Sequence, residues 1–202
     1  MIKDIKAESE EIINILKSYD LHGFEKIGGT DKGTIHSYTG AYEELLSPYR
    51  DSEVTLLEVG VQYGGSSLLW HDFLPKSKLV LVDVADQVGN NIFKNMNSER
   101  YTFHIADAYS DETVDNVTKN ISGFDIMIDD GPHSLQSQIL FINKYLPHLN
   151  DGGILIIEDI QNFSDVEILK TITPNEYKNN IEIIDLRHIK GRYDDVLFII
   201  RK

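Results

Sequence analysis

The feature that most constrains the fold is a regular alternation of short apolar runs with helix-length segments from Val54 onward. Strand-sized apolar runs separated by helices are typical of a mainly parallel sheet with helices on both faces. The predicted strands are 54–59, 79–84, 101–105, 124–128 and 154–157. The predicted helices between them are 66–73, 87–95, 111–120 and 135–148. The sequence therefore predicts an α/β fold.

The two ends of the chain complete this pattern. Residues 3–18 place apolar side chains among charges at helical spacing, which predicts an amphipathic opening helix. A second helix is predicted at residues 38–46. After a short helix at 165–171, strand-like runs at 181–186 and 196–201 allow an antiparallel hairpin at one edge. Since no repeat or linker divides the chain, we expect a single domain over 1–202, with a helical cap at 1–50 and a Rossmann-like core at 54–202.

The composition argues against several functions. The net charge of −14 disfavours binding to nucleic acid and to anionic membranes. The chain has no cysteine, which excludes disulfides, thiolate metal sites and cysteine nucleophiles. Its apolar runs are far shorter than the roughly 20 residues that span a bilayer, and its first residues lack a signal-peptide core. We therefore expect a cytoplasmic protein without membrane insertion.

A glycine-rich loop follows the first predicted strand and opens a helix. It runs from Glu58 to Ser66 through Gly60, Tyr63 and Gly64. Glycines let the backbone turn sharply and approach a ligand closely. The spacing is not the dinucleotide fingerprint G-x-G-x-x-G, because the second glycine comes four residues after the first.

This loop resembles the first motif of class I S-adenosylmethionine-dependent methyltransferases, in which an acidic residue ends the strand before the glycines. Asp83 closes the second predicted strand, where such a carboxylate accepts hydrogen bonds from both ribose hydroxyls. Asp107 follows the third, where the family contacts adenine. The resemblance implies S-adenosylmethionine as cofactor. We assign its binding to Glu58, Gly60, Tyr63, Gly64, Ser66, Asp83, Asp107, Asp129 and Lys32.

Two acidic pairs close neighbouring predicted strands. Asp129 and Asp130 lie just before His133, and Glu158 and Asp159 follow the next strand. Neighbouring parallel strands lie about 4.8 Å apart, so their ends bring the carboxylates side by side at the edge where open α/β sheets bind ligands. Carboxylates gathered there, with a histidine in reach, indicate an oxygen-ligated metal and a base.

A wider resemblance is to the macrocin and mycinamicin type of sugar O-methyltransferases, with cephalosporin-hydroxylase-like proteins as near relatives. It extends from Gly29 to Asp159. The residues that carry it are Gly29-Thr30-Asp31-Lys32 with His36 and Tyr38, the 58–66 loop running on to Trp70, the 129–133 turn, and Gly152-Gly153 leading into Glu158-Asp159. It implies a Rossmann-like class I methyltransferase fold whose mainly parallel sheet has seven strands and an antiparallel edge hairpin.

The resemblance also implies roles for individual residues. In such enzymes a magnesium ion binds vicinal sugar hydroxyls. The ion is held by carboxylates after the fourth and fifth strands. Carried over, Asp130 and Asp159 ligate the metal, Asp129 or Glu158 completes or orients the site, and His133 is the base. Manganese or calcium could replace magnesium. Pro132 stands where many relatives carry serine, so a hydroxyl is lost from this turn.

The chemistry requires these residue types. Methyl transfer from a sulfonium is an in-line displacement, so the acceptor oxygen must be aligned and at least partly deprotonated. A sugar hydroxyl is too weak an acid to ionise near neutrality. A bound cation acts on it as a Lewis acid and fixes its position. Magnesium takes oxygen ligands in an octahedral shell, which carboxylates and two hydroxyls suit.

We therefore expect a magnesium-dependent O-methyltransferase whose partner is a sugar or glycan acceptor, for example a deoxyhexose such as rhamnose. One alternative keeps the fold and cofactor but acts on a catechol-like or other small diol, and another is a non-catalytic S-adenosylmethionine-binding domain. The loop spacing and the lack of a Tyr-x-x-x-Lys pair disfavour a nicotinamide oxidoreductase. A homo-oligomer and a larger glycan-processing assembly both stay open.

The residues before the sheet allow two interpretations. Asp31, Lys32, His36 and Tyr38 could close over the cofactor or acceptor. Equally, they could cap and pack the helix that precedes the sheet.

Overall fold

A computed structural model describes residues 5–202 of the chain. Residues 3 and 4 of the predicted opening helix lie outside this range. The helices are α1 Glu10–Ser18, α2 Thr39–Leu46, α3 Gly65–Phe73, α4 Asn90–Asn95, α5 Asp111–Thr118, α6 Leu135–Tyr145, α7 Asp165–Ile172 and α8 Arg187–Lys190. The strands are β1 Thr55–Val59, β2 Lys78–Asp83, β3 Tyr101–Ile105, β4 Phe124–Asp129, β5 Leu149–Ile157, β6 Ile181–Asp185 and β7 Val196–Arg201.

The strands of residues 5–202 form one seven-stranded sheet in the order β3-β2-β1-β4-β5-β7-β6. β1 to β5 pair in parallel, and β7 runs antiparallel to both β5 and β6. The predicted fold class, including the antiparallel edge hairpin, is confirmed. The chain leaves β1 towards β3 and then returns to place β4 on the other side of β1. This reversal is the switch point at which open α/β sheets bind ligands.

The central strands are buried on both faces, which explains why their sequences are continuous apolar runs and do not alternate. Along β4, Ile126 and Ile128 pack into the core on one face of the sheet, whereas Met127 packs into the core on the other. Trp70 of α3 belongs to the first core and Phe141 of α6 to the second. Two apolar layers therefore hold the strand ends in a fixed register.

Two element boundaries differ from the predicted ones by five residues or more. The opening helix begins at Glu10 because Ser9 is its N-cap, with Oγ accepting the Ile12 N–H at 3.0 Å. β5 begins at Leu149, five residues before the predicted start. The Gly152 N–H donates to the Lys202 carbonyl at 2.9 Å, so a stretch that resembles a turn is held in the sheet.

Residues 21–42, here called the pre-sheet segment, pack against the glycine loop. A Cβ on Gly65 would lie 2.5 Å from the Gly28 carbonyl oxygen, so the two backbones touch. An isolated bridge between His22 and Thr30 closes the first part of the segment into a loop. The segment is thereby fixed over the carboxyl edge of the sheet. Among residues 5–202, no helix has the length and apolar character needed to cross a membrane.

Candidate functional site

A cavity of about 400 Å³ opens at the carboxyl ends of β1, β2 and β4. This volume is within the range of small-molecule sites. The predicted site residues that line it are Gly60, Tyr63, Ser66, Asp83, Asp107, Asp130, His133 and Asp159. Phe24, Thr30 and Asp31 of the pre-sheet segment border the same cavity. The structure therefore brings most of the predicted residues to one place.

The glycine loop is shaped by the carboxylate of the neighbouring strand. Asp83 Oδ2 accepts the N–H groups of Val61 at 2.9 Å and Gln62 at 2.7 Å, and Oδ1 accepts that of Ala85 at 3.0 Å. Gly64 then adopts a left-handed φ of 85° as the N-cap of α3, a conformation that glycine enters without steric cost. Asp83 thus organises the loop while it borders the cavity.

Two predicted cofactor residues support the cavity from behind. Glu58 is fully buried and accepts hydrogen bonds from Ser67 Oγ and, at 2.8 Å, from Trp70 Nε1. Burial raises the pKa of Glu58, although these donors oppose the shift. Asp129 is also buried and accepts from the Tyr109 hydroxyl at 2.6 Å, and burial raises the pKa of Asp129 to about 6. Both carboxylates bond protein donors and do not line the cavity, so their roles in cofactor binding stay predictions.

Gly60 joins the two halves of the site. Its φ is 87°, and a Cβ there would lie 1.9 Å from the Asp130 carbonyl oxygen, so a side chain cannot be accommodated. The Asp130 N–H donates to the Val59 carbonyl at 2.8 Å. The turn that carries the acidic pair of β4 is therefore seated directly on the glycine loop.

Asp130, His133 and Asp159 converge beside the cavity, with one potential ligand atom from each within 4.8 Å of the others. His133 Nε2 lies 3.9 Å from Asp130 Oδ1 and 3.6 Å from Asp159 Oδ2. Both His133 and Asp159 have a left-handed φ of 55°. Such backbone conformations cost energy and cluster at functional sites. His133 Nδ1 is buried without a protein hydrogen-bond partner.

Lys32 lies behind these residues. Its side chain is 2% exposed, and its ammonium is 2.7 Å from Asp130 Oδ2 and 2.7 Å from both oxygens of Glu158. The Tyr42 hydroxyl also donates to Glu158. Burial opposes the lysine charge, but the carboxylates of Asp130 and Glu158 outweigh it and raise the pKa of Lys32 well above its usual value.

A second group from the pre-sheet segment holds Asp159. The Tyr38 hydroxyl donates to Asp159 Oδ1 at 2.5 Å, and His36 Nδ1 lies 3.4 Å from the same oxygen. His36 Nδ1 lies 2.6 Å from Asp195 Oδ1, and its ring stacks on that of Tyr38. Burial lowers the pKa of His36, but the neighbouring carboxylates outweigh it and raise the pKa above its usual value.

The donor set fits an oxygen-preferring divalent ion. One oxygen of each predicted ligand carboxylate is held from behind, Asp130 Oδ2 by Lys32 and Asp159 Oδ1 by Tyr38. The other oxygen of each lies near His133 Nε2, at the cavity. Carboxylate oxygens oriented by such outer contacts are the arrangement that Mg²⁺ sites use.

Two other predicted residues lie behind the cavity. Lys32 and Tyr42 contact the buried carboxylate of Glu158, which was predicted to join the metal ligands. Lys32, which was predicted to bind the cofactor, does not line the cavity, and both roles stay predictions. His36 and Tyr38 pack behind Asp159. Sequence reasoning missed Tyr42 and Asp195. Tyr42 lies within a helical pattern and Asp195 directly precedes β7, and neither carries a separate signal.

Comparisons with known proteins agree with this geometry. A family profile described as "Methyltransferase domain" matches residues 57–160. A rhamnosyl tetracenomycin-C 2'-O-methyltransferase of Streptomyces olivaceus is 32% identical over 66% of this chain and 35% of its own length. Mycinamicin VI 2''-O-methyltransferase of Micromonospora griseorubida is 29% identical over 63% of this chain and 32% of its own length.

Solved structures share the fold. One is the MycE methyltransferase of the mycinamycin pathway, in complex with Mg, S-adenosylhomocysteine (SAH) and mycinamycin VI. It matches with a TM-score of 0.70 at 19% identity, over 97% of this chain and 54% of that one. An O-methyltransferase from Bacillus cereus in complex with SAH matches with a TM-score of 0.63 at 14% identity, over 96% and 90%. This chain spans about a third of the length of the curated relatives named above. The profile covers more than half of the 202 residues, and the chain belongs to the family that this methyltransferase domain defines.

Proposed function

We propose that the protein is a divalent-metal-dependent O-methyltransferase that transfers a methyl group from S-adenosylmethionine to a sugar hydroxyl. The observation that carries the proposal is the convergence of Asp130, His133 and Asp159 beside a cavity bounded by the glycine loop and Asp83. One site thus combines a cofactor-sized cavity, two carboxylates suited to a metal and a histidine suited to a base.

The cofactor half of the cavity suits a nucleoside. Asp83 and Asp107 lie at the ends of consecutive strands, at positions suited to ribose hydroxyls and an adenine. Gly60 and Ser66 border the same space, where the close approach of backbone leaves room for the amino-acid part of the cofactor. When bound, S-adenosylmethionine supplies an electrophilic methyl group on a sulfonium.

The metal half prepares the acceptor. Asp130 and Asp159 would hold Mg²⁺, or Mn²⁺ in its place, and the bound ion would supply Lewis-acid activation of the acceptor hydroxyl. His133 Nε2 faces the same point and accepts the hydroxyl proton. Tyr38 and Lys32 keep the two carboxylates in place, which maintains the alignment that an in-line displacement requires.

The sugar acceptor is supported by the curated relatives, which are named as methyltransferases of rhamnosyl tetracenomycin-C and mycinamicin VI. A pair of vicinal hydroxyls can take two positions of an octahedral shell that two carboxylates leave open. We infer a terminal deoxyhexose, such as rhamnose, on a glycan or glycoside.

A radiolabelled methyl-transfer screen tests this function. Rhamnosides, other deoxyhexosides, nucleotide sugars and catechol are offered with Mg²⁺ and again with a chelator. We expect a sugar to be labelled when Mg²⁺ is present and to stay unlabelled when the chelator is added. Undiminished transfer in chelator would contradict the metal, label on catechol alone would contradict the acceptor, and failure to bind S-adenosylhomocysteine by calorimetry would contradict the cofactor.

A further inference from the structure

The connection between β6 and β7 lies beside the proposed metal site. β7 pairs with the end of β5, where Ile157 is opposite Phe198, so residues 186–195 stand at the carboxyl edge of the sheet next to Asp159. β1 and β2, which carry the cofactor half, lie on the opposite side of β4. A sugar held at Asp159 can therefore extend towards this connection and leave the cofactor half free.

Tyr193, in this connection, is an exposed aromatic residue whose ring is nevertheless held in place. The residue is 61% exposed, and its hydroxyl donates to Gln161 Oε1 at 2.9 Å. Gln161 Nε2 in turn donates to the Asp159 carbonyl at 3.4 Å and to Asp194 Oδ2 at 3.5 Å. The Arg192 guanidinium lies 5.6 Å from the centre of the Tyr193 ring. One side chain thus links a solvent-facing ring to the backbone of a predicted metal ligand.

The same ring forms one wall of an open groove of about 450 Å³. The groove is lined by Asp185, Arg187, His188, Gly191, Arg192 and Tyr193. Lys190 fixes this connection to the pre-sheet segment, because its ammonium donates to the carbonyl oxygens of Gly33, Thr34 and His36 at 2.8, 3.0 and 2.7 Å. The groove therefore has a defined position relative to the metal half of the site.

The charges in the groove favour a neutral ligand. Arg187 donates to the two oxygens of Asp185 at 2.8 and 2.7 Å. Arg192 donates to those of Asp194 at 2.9 and 2.7 Å. Arg187 and, less strongly, His188 lower the pKa of the Asp185 carboxyl. A phosphate would have to displace a carboxylate from its guanidinium, whereas sugar hydroxyls can bond to both partners of each pair.

We propose that Tyr193 is a specificity-determining residue whose ring packs against a neutral sugar unit next to the one that is methylated. The negative face of an aromatic ring attracts the C–H groups of a sugar ring. This inference rests on the proposed function and narrows its acceptor to a glycan end of at least two sugars. Because the ring lies away from the reacting hydroxyl, its contact should be equally strong in the ground state and the transition state, and it should act on KM and not on kcat.

The test compares methyl transfer to methyl rhamnoside, to the methyl glycoside of a rhamnose-ended disaccharide, and to a nucleoside-diphosphate rhamnose. Wild-type protein is expected to show a kcat/KM for the disaccharide about 10-fold above those for the other two acceptors, which is the size of one good aromatic contact. Tyr193→Ala is expected to lose this preference through a higher KM for the disaccharide, with both constants for methyl rhamnoside unchanged. Tyr193→Phe keeps the ring and is expected to keep the preference.

Tyr49→Ala is the matched control. It removes a tyrosine whose hydroxyl donates to the Gly152 carbonyl at 2.8 Å, near the start of β5 and far from the groove. It is expected to keep the wild-type preference for the disaccharide, because any loss of stability acts on all three acceptors alike.

The outcomes separate this inference from the proposed function. Wild-type protein without a preference for the disaccharide, or Tyr193→Ala with the preference intact, overturns the inference and leaves sugar methylation standing. An equal loss for all three acceptors in Tyr193→Ala overturns it too, since that would be a structural effect. So does loss of the preference in Tyr193→Phe or Tyr49→Ala. If wild-type protein methylates no sugar, the proposed function and the inference both fail.

Discussion

The two halves of the candidate site are held by different means. In the cofactor half, Asp83 bonds backbone N–H groups of the adjacent glycine loop, 21 and 22 residues away. In the metal half, Asp130 and Asp159 are held by side chains of the pre-sheet segment, 98 and 121 residues away. The first half is built from neighbouring β-α units, whereas the second depends on a distant segment docking correctly.

This difference indicates which property of the site a substitution in each half should change. Substitutions in the cofactor half should act on cofactor affinity through local loop geometry. Substitutions in the metal half, or in the pre-sheet segment behind it, should act on metal affinity and turnover while cofactor binding persists. The following substitutions test that separation.

Asp159→Ala should have the largest effect. It removes a proposed ligand oxygen and the acceptor of the Tyr38 hydroxyl, and the loss of electrostatic stabilisation should lower turnover by about 10³-fold. The measurement is methyl transfer across a magnesium titration, with S-adenosylhomocysteine affinity followed by calorimetry. Asp151→Ala, an exposed position near the start of the same strand, is the control. If Asp159→Ala in chelator turned over as fast as wild-type protein does with Mg²⁺, the contrast between the two halves would be wrong.

His133→Gln should reduce turnover by about 10²-fold or more, since a positioned base contributes that much. His133 Nε2 lies near Asp130 and Asp159, in the metal half of the site. The variant should therefore retain its affinity for the cofactor. Methyl-transfer rates check this, with S-adenosylhomocysteine affinity followed by calorimetry, and His148→Gln, just before the start of β5, should leave both at wild-type values. Wild-type turnover in His133→Gln would remove the base from the mechanism.

Asp83→Ala should act in the opposite half. It removes the acceptor of the Val61 and Gln62 N–H groups as well as the carboxylate proposed to bind the ribose, and charge-assisted hydrogen bonds of this kind suggest a loss of about 10²-fold in cofactor affinity. Calorimetry checks this, and Mn²⁺ affinity should stay near wild type. The exposed Asp86→Ala is the matched control. Equal weakening of metal and cofactor would show that the halves are not separate.

Tyr38→Phe should have the smallest effect. It keeps the buried ring but removes the hydroxyl that orients Asp159, and loss of such an outer contact should weaken metal binding by about 10-fold. Tyr42→Phe removes the equivalent hydroxyl from Glu158 and should weaken it less, since Glu158 faces Lys32. Mn²⁺ titrations of both variants would decide the order. A larger loss for Tyr42→Phe would place Glu158 among the ligands.

The same contrast accounts for what the sequence could predict. Gly60, Asp83 and Asp107 follow strands whose apolar runs are unmistakable, and the carboxyl ends of parallel strands meet at one edge whatever the details. Asp130, His133 and Asp159 were found in the same way. The antiparallel hairpin likewise follows from the two strand-like runs near the end of the sequence, whereas the order of the strands in the sheet was not predicted.

Contacts across the molecule were not predictable from local pattern. The pairing of Lys32 with Glu158 depends on where an irregular segment docks, and no periodicity encodes that position. Tyr42 looks like an ordinary core residue of α2, and its hydroxyl has a role only because Glu158 is behind it. The early start of β5 depends similarly on Lys202, whose backbone pairs with Gly152 and Gly153.

The left-handed backbone at His133 and Asp159 has an evolutionary consequence. Glycine would adopt these angles without steric penalty, whereas each existing side chain costs on the order of 1 kcal/mol. A laboratory selection for heat resistance alone would therefore favour glycine at both positions and yield sturdier but inert proteins. Two evolved populations could be compared, one selected for product formation and one selected for heat resistance alone. If only the first kept non-glycine residues at these two positions, selection for catalysis would be the cause.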